Sequence, residues 1–341
     1  MDPDGNMMDN SPRITILGAG SWGTALALQA ARLHPDVLLW ARDTAQAALL
    51  EGSRENARYL PGVRFPEHLR VVSDPDLAVT GRALILVAVP SSGFRETLRW
   101  VGARLREGQN IAWATKGLET TTGAWLHEVL EEELPGQPPA VLSGPSFAAE
   151  VAREQPTALT VAAAEPGLGE LVSQAFHGRA MRIYRSADVL GVELGGAFKN
   201  VLAIAAGISD GAGFGANARA ALMTRGLAEL QRLGAAVGAQ PQTLTGLSGL
   251  GDLVLTCTDD QSRNRRLGLY LGQGFDLETA RRRIGQAVEG ADTARVAVAK
   301  AEQAGVEMPI CAEVHAVLYK GRPVREAVRR LLERDPGPEH L

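Results

Sequence analysis

Apolar positions in the first half of the chain come in short unbroken runs separated by longer alanine-rich or mixed stretches. R-I-T-I-L at 13–17 and the run at 83–89 lack in-out alternation, so they predict strands buried on both faces, as in a parallel sheet. Further strands are predicted at 37–40, 71–72, 110–114, 140–143, 157–163 and 181–184. Helices are predicted at 22–32 and from 147 to 153, and 54–65, with Pro61-Gly62, reads as a loop. Strands and helices alternate to about residue 186, and helices dominate afterwards. The expected class is therefore α/β: an N-terminal Rossmann-type doubly wound sheet at 13–186, then an all-helical domain at 187–334. Residues 1–12 and 335–341 are expected to be a flexible extension and a flexible tail.

In the second half, 188–208 is apolar or small on nearly every side and predicts a buried helix. The glycine-rich stretch at 209–217 predicts a loop, and 218–233 a helix. A further helix is expected from Gln261, with a short loop at 285–290 and breaks at Pro309 and at Gly321 to Pro323.

The first chemistry lies where the first strand meets the first helix. Gly18-Ala19-Gly20-Ser21-Trp22-Gly23 is a G-x-G-x-x-G, weak by itself in a chain of 38 glycines, but here it has a strand before and a helix after. At that junction the first glycine makes the turn and the second lets backbone approach a pyrophosphate. The third lets helix and strand pack closely, with the helix N-terminus facing the anion. After the second strand comes Ala41-Arg42-Asp43, where such folds read the adenosine ribose. An arginine pairs with a 2′-phosphate and an acid with the 2′-hydroxyl; Asp43 has the usual offset of an NAD-type acid yet equally suits a helix N-cap. The reading favours NADP, with NAD as the alternative.

Lys116 follows a buried strand directly and reaches the sheet's carboxyl edge; the plain alternative is a surface lysine. Lys199 shares a helix face with Gly195, Gly196 and Ala203. Burying an ammonium costs several kcal/mol unless it is paired, so small neighbours suggest a cavity that a ligand fills, against a lysine that snorkels out or joins a structural ion pair. Asp252, alone among small and apolar residues at 246–255, is a helix cap or the partner that lysine needs. Ser262, Arg263 and Asn264 open a helix with donors suited to phosphate; the plain alternative is a solvated charged face.

Composition removes several classes. With 341 residues, 45% hydrophobic and 22% charged, the chain suits an ordinary two-domain protein. A net charge of -4 argues against a general nucleic-acid binder. Cys257 and Cys311 show neither a disulfide framework nor zinc spacing, and no histidine has ligand-like pairing, so no metal is expected. The start is acidic and polar, unlike a signal peptide, and the longest apolar runs are too short for a membrane span. A cytoplasmic enzyme with no membrane insertion is expected.

Eight stretches in order, 18–27, 113–118, 143–148, 195–200, 209–219, 249–258, 262–266 and 288–290, resemble the bacterial NAD(P)-dependent sn-glycerol-3-phosphate dehydrogenase family. The resemblance implies reversible reduction of dihydroxyacetone phosphate to sn-glycerol 3-phosphate for phospholipid synthesis; a homodimer is compatible with it. It also implies that Lys199 is the proton donor in reduction, oriented by Asp252, with Lys116 a second cation that lowers the Lys199 pKa. Ser262, Arg263 and Asn264 would hold the phosphate, and Gly144 and Ser146 would also contact substrate. Ser21, Trp22, Arg42, Lys116, Ala148, Arg263, Ala287 and Glu289 align with cofactor contacts. Ser146 stands where the family also admits threonine, and Arg42 where some members have histidine. The rival readings are a 3-hydroxyacid or ketopantoate-type reductase and a non-catalytic NADP sensor. A carboxylate substrate has no need of the 262–264 cluster, and a sensor has no need of Lys116, Lys199 and Asp252 together.

Overall fold

Four strongly apolar four-residue strands belong to one predominantly parallel sheet in the computed structural model, which describes residues 11–334. They are β1 (Ile14–Leu17), β2 (Val37–Trp40), β4 (Leu84–Val87) and β6 (Ala140–Ser143); β3 (Leu69–Val72), β5 (Asn110–Trp113), β7 (Thr157–Ala163) and β8 (Met181–Ser186) complete it. The strand order is β3-β2-β1-β4-β5-β6-β7-β8. β1 pairs in parallel with both β2 and β4, placing Leu17 beside Trp40 and Val87. The order extends the 3-2-1-4-5-6 arrangement of dinucleotide-binding sheets by two strands. The unbroken apolar runs are buried on both faces, as their composition requires, so helices cover the sheet on each side.

The chain divides into two units. One runs through Thr115 and takes in His127–Leu142 and Ser146–Val189; the other holds Lys116–Leu126, Ser143–Pro145 and the described chain from Leu190. Segments 116–126 and 143–145 therefore leave the strand-rich half and join the helical one. Helical structure dominates the second unit, around a core that includes Phe198, Leu202, Leu230, Leu267 and Val314.

The helix Val189–Gly211 is the centre of that core. It is long and apolar enough to cross a membrane, but 89% of its most apolar window is buried inside the protein. Its extent revises the glycine-rich loop expected at 209–217: Ser209 to Gly211 continue the helix, and the next one, Ala216–Val237, starts five residues later. Helical hydrogen bonding wins there because Gly211 packs backbone to backbone, where a Cβ would lie 2.3 Å from Leu269 O. The extension expected at 1–12, apart from Ser11 and Pro12, and the tail at 335–341 with His340 lie outside the described residues.

Candidate active site

In the first unit the three motif glycines have three different surroundings. Gly18 has φ +119, and a Cβ on it would meet Ala88 O at 2.7 Å; a Cβ on Gly23 would sit 1.9 Å from Gly18 O. Gly20 faces open space, with nothing within 4 Å of its Cβ position, and it begins the helix Ser21–Ala31 without a side-chain cap. An uncapped N-terminus beside open space is what a pyrophosphate needs, so these residues fit a dinucleotide. The turn is held from below by Asn56, 1% exposed, whose amide donates to Ala19 O (3.1 Å) and Thr24 Oγ1 (2.8 Å). The loop reading of 54–65 gave no sign of that role.

Ser21 and Trp22 open this helix half-buried, and the Trp22 indole N–H is buried with no protein acceptor. Ala148 starts the helix Ala148–Ala152, which packs on Ser21–Ala31, and Ser146 precedes it half-buried. Past the end of β2, Arg42 is exposed, whereas the Asp43 carboxylate is used as an N-cap, accepting from Gln46 N at 2.6 Å. Of its two expected uses, Asp43 thus has the structural one in place.

In the second unit the expected lysines and acid meet. Lys199 Nζ donates to Asp252 Oδ1 and, at 2.9 Å, to Thr256 Oγ1. Lys116 Nζ donates to Asp252 Oδ2 at 2.7 Å and to Gly144 O at 3.0 Å. Asp252 is 1% exposed and Lys199 7%. Thr256 was not singled out in the sequence, although its spacing of four from Asp252 puts it on the same helix face. Its hydroxyl accepts from Lys199 and donates to Asp252 O at 2.6 Å. Asp252 follows the π-helical turn Leu247–Gly251, so this acid begins the helix Asp252–Thr258.

Two findings refine the sequence reading of Lys199. First, two of its small neighbours answer close packing: a Cβ on Gly195 would lie 2.5 Å from Ser248 O, and on Gly196 2.8 Å from Ser143 Oγ. Glycine is needed there because other chain segments press against the helix. Second, the Lys199 pKa is lowered from 10.5 to about 8 chiefly by that burial, with Asp252 opposing and Lys116 adding a smaller lowering by like charge.

The 262–264 cluster has a mixed fate. Ser262 is the N-cap of the helix Arg263–Gly272, its hydroxyl accepting from Arg265 N. Asn264 donates to Asn200 Oδ1 (2.9 Å) and accepts from Gly290 N (2.9 Å), tying the helix start to the neighbour of Lys199. Arg263 is half-buried, with Gln286 Oε1 at 3.5 Å. Ala287 is exposed, and the half-buried Glu289 has its carboxyl pushed up by burial against the pull of Arg263, Lys116 and Lys199. Cys257 and Cys311 are free and buried, and burial lifts the Cys257 thiol to about 12, so it is no nucleophile. Among the described residues, no group of three or more His, Cys, Asp or Glu side chains could hold a metal ion.

Comparisons with known proteins show the family. Residues 13–168 match the family model for the NAD-dependent glycerol-3-phosphate dehydrogenase N-terminus, and residues 188–329 that for its C-terminus. A glycerol-3-phosphate dehydrogenase [NAD(P)+] of Thioalkalivibrio sulfidiphilus is 60% identical over 97% of this chain and 99% of its own. The crystal structure of the glycerol-3-phosphate dehydrogenase of Coxiella burnetii is 46% identical, with a TM-score of 0.92 over 95% of this chain and 99% of that one. The yeast enzyme's structure is 25% identical with a TM-score of 0.83, covering 95% and 100%.

Proposed function

We propose, because this chain belongs to the NAD-dependent glycerol-3-phosphate dehydrogenase family, that it interconverts dihydroxyacetone phosphate and sn-glycerol 3-phosphate. The bound dinucleotide, NADP or NAD, supplies or accepts the hydride. The observation that carries the reading is a buried ammonium, Lys199, whose pKa of about 8 suits it to both give and take a proton near neutral pH.

In reduction, Lys199 gives its proton to the carbonyl oxygen as alkoxide charge develops there; in oxidation, the neutral amine takes the hydroxyl proton. Asp252 keeps the amine aimed by accepting from it, and Thr256 fixes a second donor direction. Lys116 shares the same carboxylate, so two cations face one anion and a positive charge remains for the developing alkoxide. Arg263, Asn264 and the cap residue Ser262 hold the phosphate from the first turn of their helix. Arg42 pairs with the 2′-phosphate of NADP, a reading supported by the capping use of Asp43. The product feeds phospholipid synthesis, and the setting is cytoplasmic.

Family membership sets aside the carboxylate-ketone reductase and the non-catalytic sensor. The test is NADPH and NADH oxidation with dihydroxyacetone phosphate against ketopantoate as control. Turnover of the phosphate ketone alone is expected, faster with NADPH; turnover of ketopantoate alone would reject the reaction.

A further inference from the structure

The charge run at 259–266 contains a cation that the reaction just described does not use. Arg265 is 8% exposed, and its guanidinium is divided among two helices and a turn. Nε donates to Cys257 O (3.0 Å), in the last turn of the helix that carries Asp252 and Thr256. Nη2 donates to Asp210 Oδ2 (2.6 Å), at the far end of the Lys199 helix, and Nη1 donates to Asp260. Arg219 donates to the same Asp210 oxygen at 2.8 Å, which holds that carboxylate in place. The backbone N–H of Arg265 is in turn the one capped by Ser262.

An apolar side chain would have filled this volume without the cost of desolvating a charge. A guanidinium with directed partners on two helices and the turn leading into its own does something filling cannot: it fixes their angles to one another. The body of the Arg263–Gly272 helix is already immobile against the Lys199 helix. A Cβ on Gly207 would lie 2.0 Å from Arg265 O, and on Gly268 2.1 Å from Ile204 O, so these two backbones touch. The freedom left is in the first turn, where Arg263 and Asn264 sit and where helices fray.

We infer that Arg265 is a positioning residue for phosphate recognition: its clamp on Asp210, Cys257 and Asp260 holds the first helical turn so that Arg263 and Asn264 present their donors together. It acts through those residues without touching the substrate. The inference rests on the proposed reaction, since it assigns the phosphate to this turn.

The experiment compares wild type, Arg265→Lys and Asp260→Asn with dihydroxyacetone phosphate and with dihydroxyacetone, the same ketone without its phosphate. In Arg265→Lys the ratio of kcat/KM for the two ketones falls about 10- to 100-fold, the scale at which a small misplacement of a binding group is felt. Most of that loss is in KM, and the dissociation constant of glycerol 3-phosphate rises with it. The transition near pH 8 stays where it is, because the partners of Lys199 are untouched. Asp260, whose side chain is 74% exposed, can be altered without emptying the core. Asp260→Asn lowers the ratio a few-fold and keeps the test decisive if Arg265→Lys does not fold. An unchanged ratio, with both ketones losing equally or neither losing, would overturn the inference in either variant. A wild type inactive on dihydroxyacetone phosphate but active on ketopantoate would instead overturn the reaction, and the clamp's phosphate role with it.

Discussion

At Lys199 two effects oppose each other. Burial, the larger, disfavours the ammonium, and the Asp252 carboxylate favours it. Burial outweighs that attraction, Lys116 on the same carboxylate adds a smaller lowering, and Lys199 ends at about 8 instead of at an ordinary lysine value. Lys199→Ala should therefore fold and bind NADPH while turnover drops about 100- to 1,000-fold, as when one preorganised transition-state donor is removed. Steady-state rates together with a fluorescence titration of NADPH check this, and normal turnover would end the assignment. Arg42→Ala should weaken NADPH more than NADH, because only the former carries the 2′-phosphate. Equal weakening of both in binding titrations would move ribose recognition to Asp43. Lys199, Lys116 and Asp252 were legible singly, as charged residues in apolar or small surroundings. The pairing of Lys199 with Asp252 was expected too, but not that Lys116 shares the same carboxylate from 136 residues away.

Among elements, those defined by local pattern were the most legible. The strand at 37–40 matches β2 residue for residue, and the glycine motif announced the Ser21–Ala31 helix because Gly18 and Gly23 answer nearby steric demands while Gly20 leaves the helix start open. What escaped was set by distant contacts. Asn56 supports the glycine turn from a segment that reads only as loop, and Gly195 and Gly196 answer to Ser248 and Ser143 from elsewhere in the chain. Another such contact gives a stability prediction. Glu229, 1% exposed on the Ala216–Val237 helix, accepts from Ile310 N (2.6 Å) and Cys311 N (3.3 Å) at the start of the Pro309–Tyr319 helix. Burial still raises its carboxyl from 4.5 to about 7. The native state holds this proton more tightly than the unfolded chain. Its stabilisation is thus full below about pH 4.5 and is lost as pH rises through about 7. The melting temperature of wild type minus that of Glu229→Gln should fall between pH 5 and 8 (roughly the window spanning those values). A difference that stays constant across that window would show that Glu229 does not titrate there.

On the scale of the whole molecule, a net charge of -4 serves a dianionic substrate only if positive charge is gathered locally. The second unit gathers it in Lys116, Lys199 and Arg263, while buried Arg265 is spent on structure. The order of motifs from residue 18 to 290 carried the expectation of a nucleotide turn and a buried lysine, because such a turn must follow a strand and a proton donor must be buried, but not the structural use of Arg265. The central claim is that Lys199 moves the proton, and kcat/KM measured against pH in both directions tests it most directly. From about pH 7 to about pH 10, beyond the titration of the substrate phosphate, reduction should decline and oxidation should rise, both with a midpoint at about 8. Profiles in which neither direction changes across that range would contradict it.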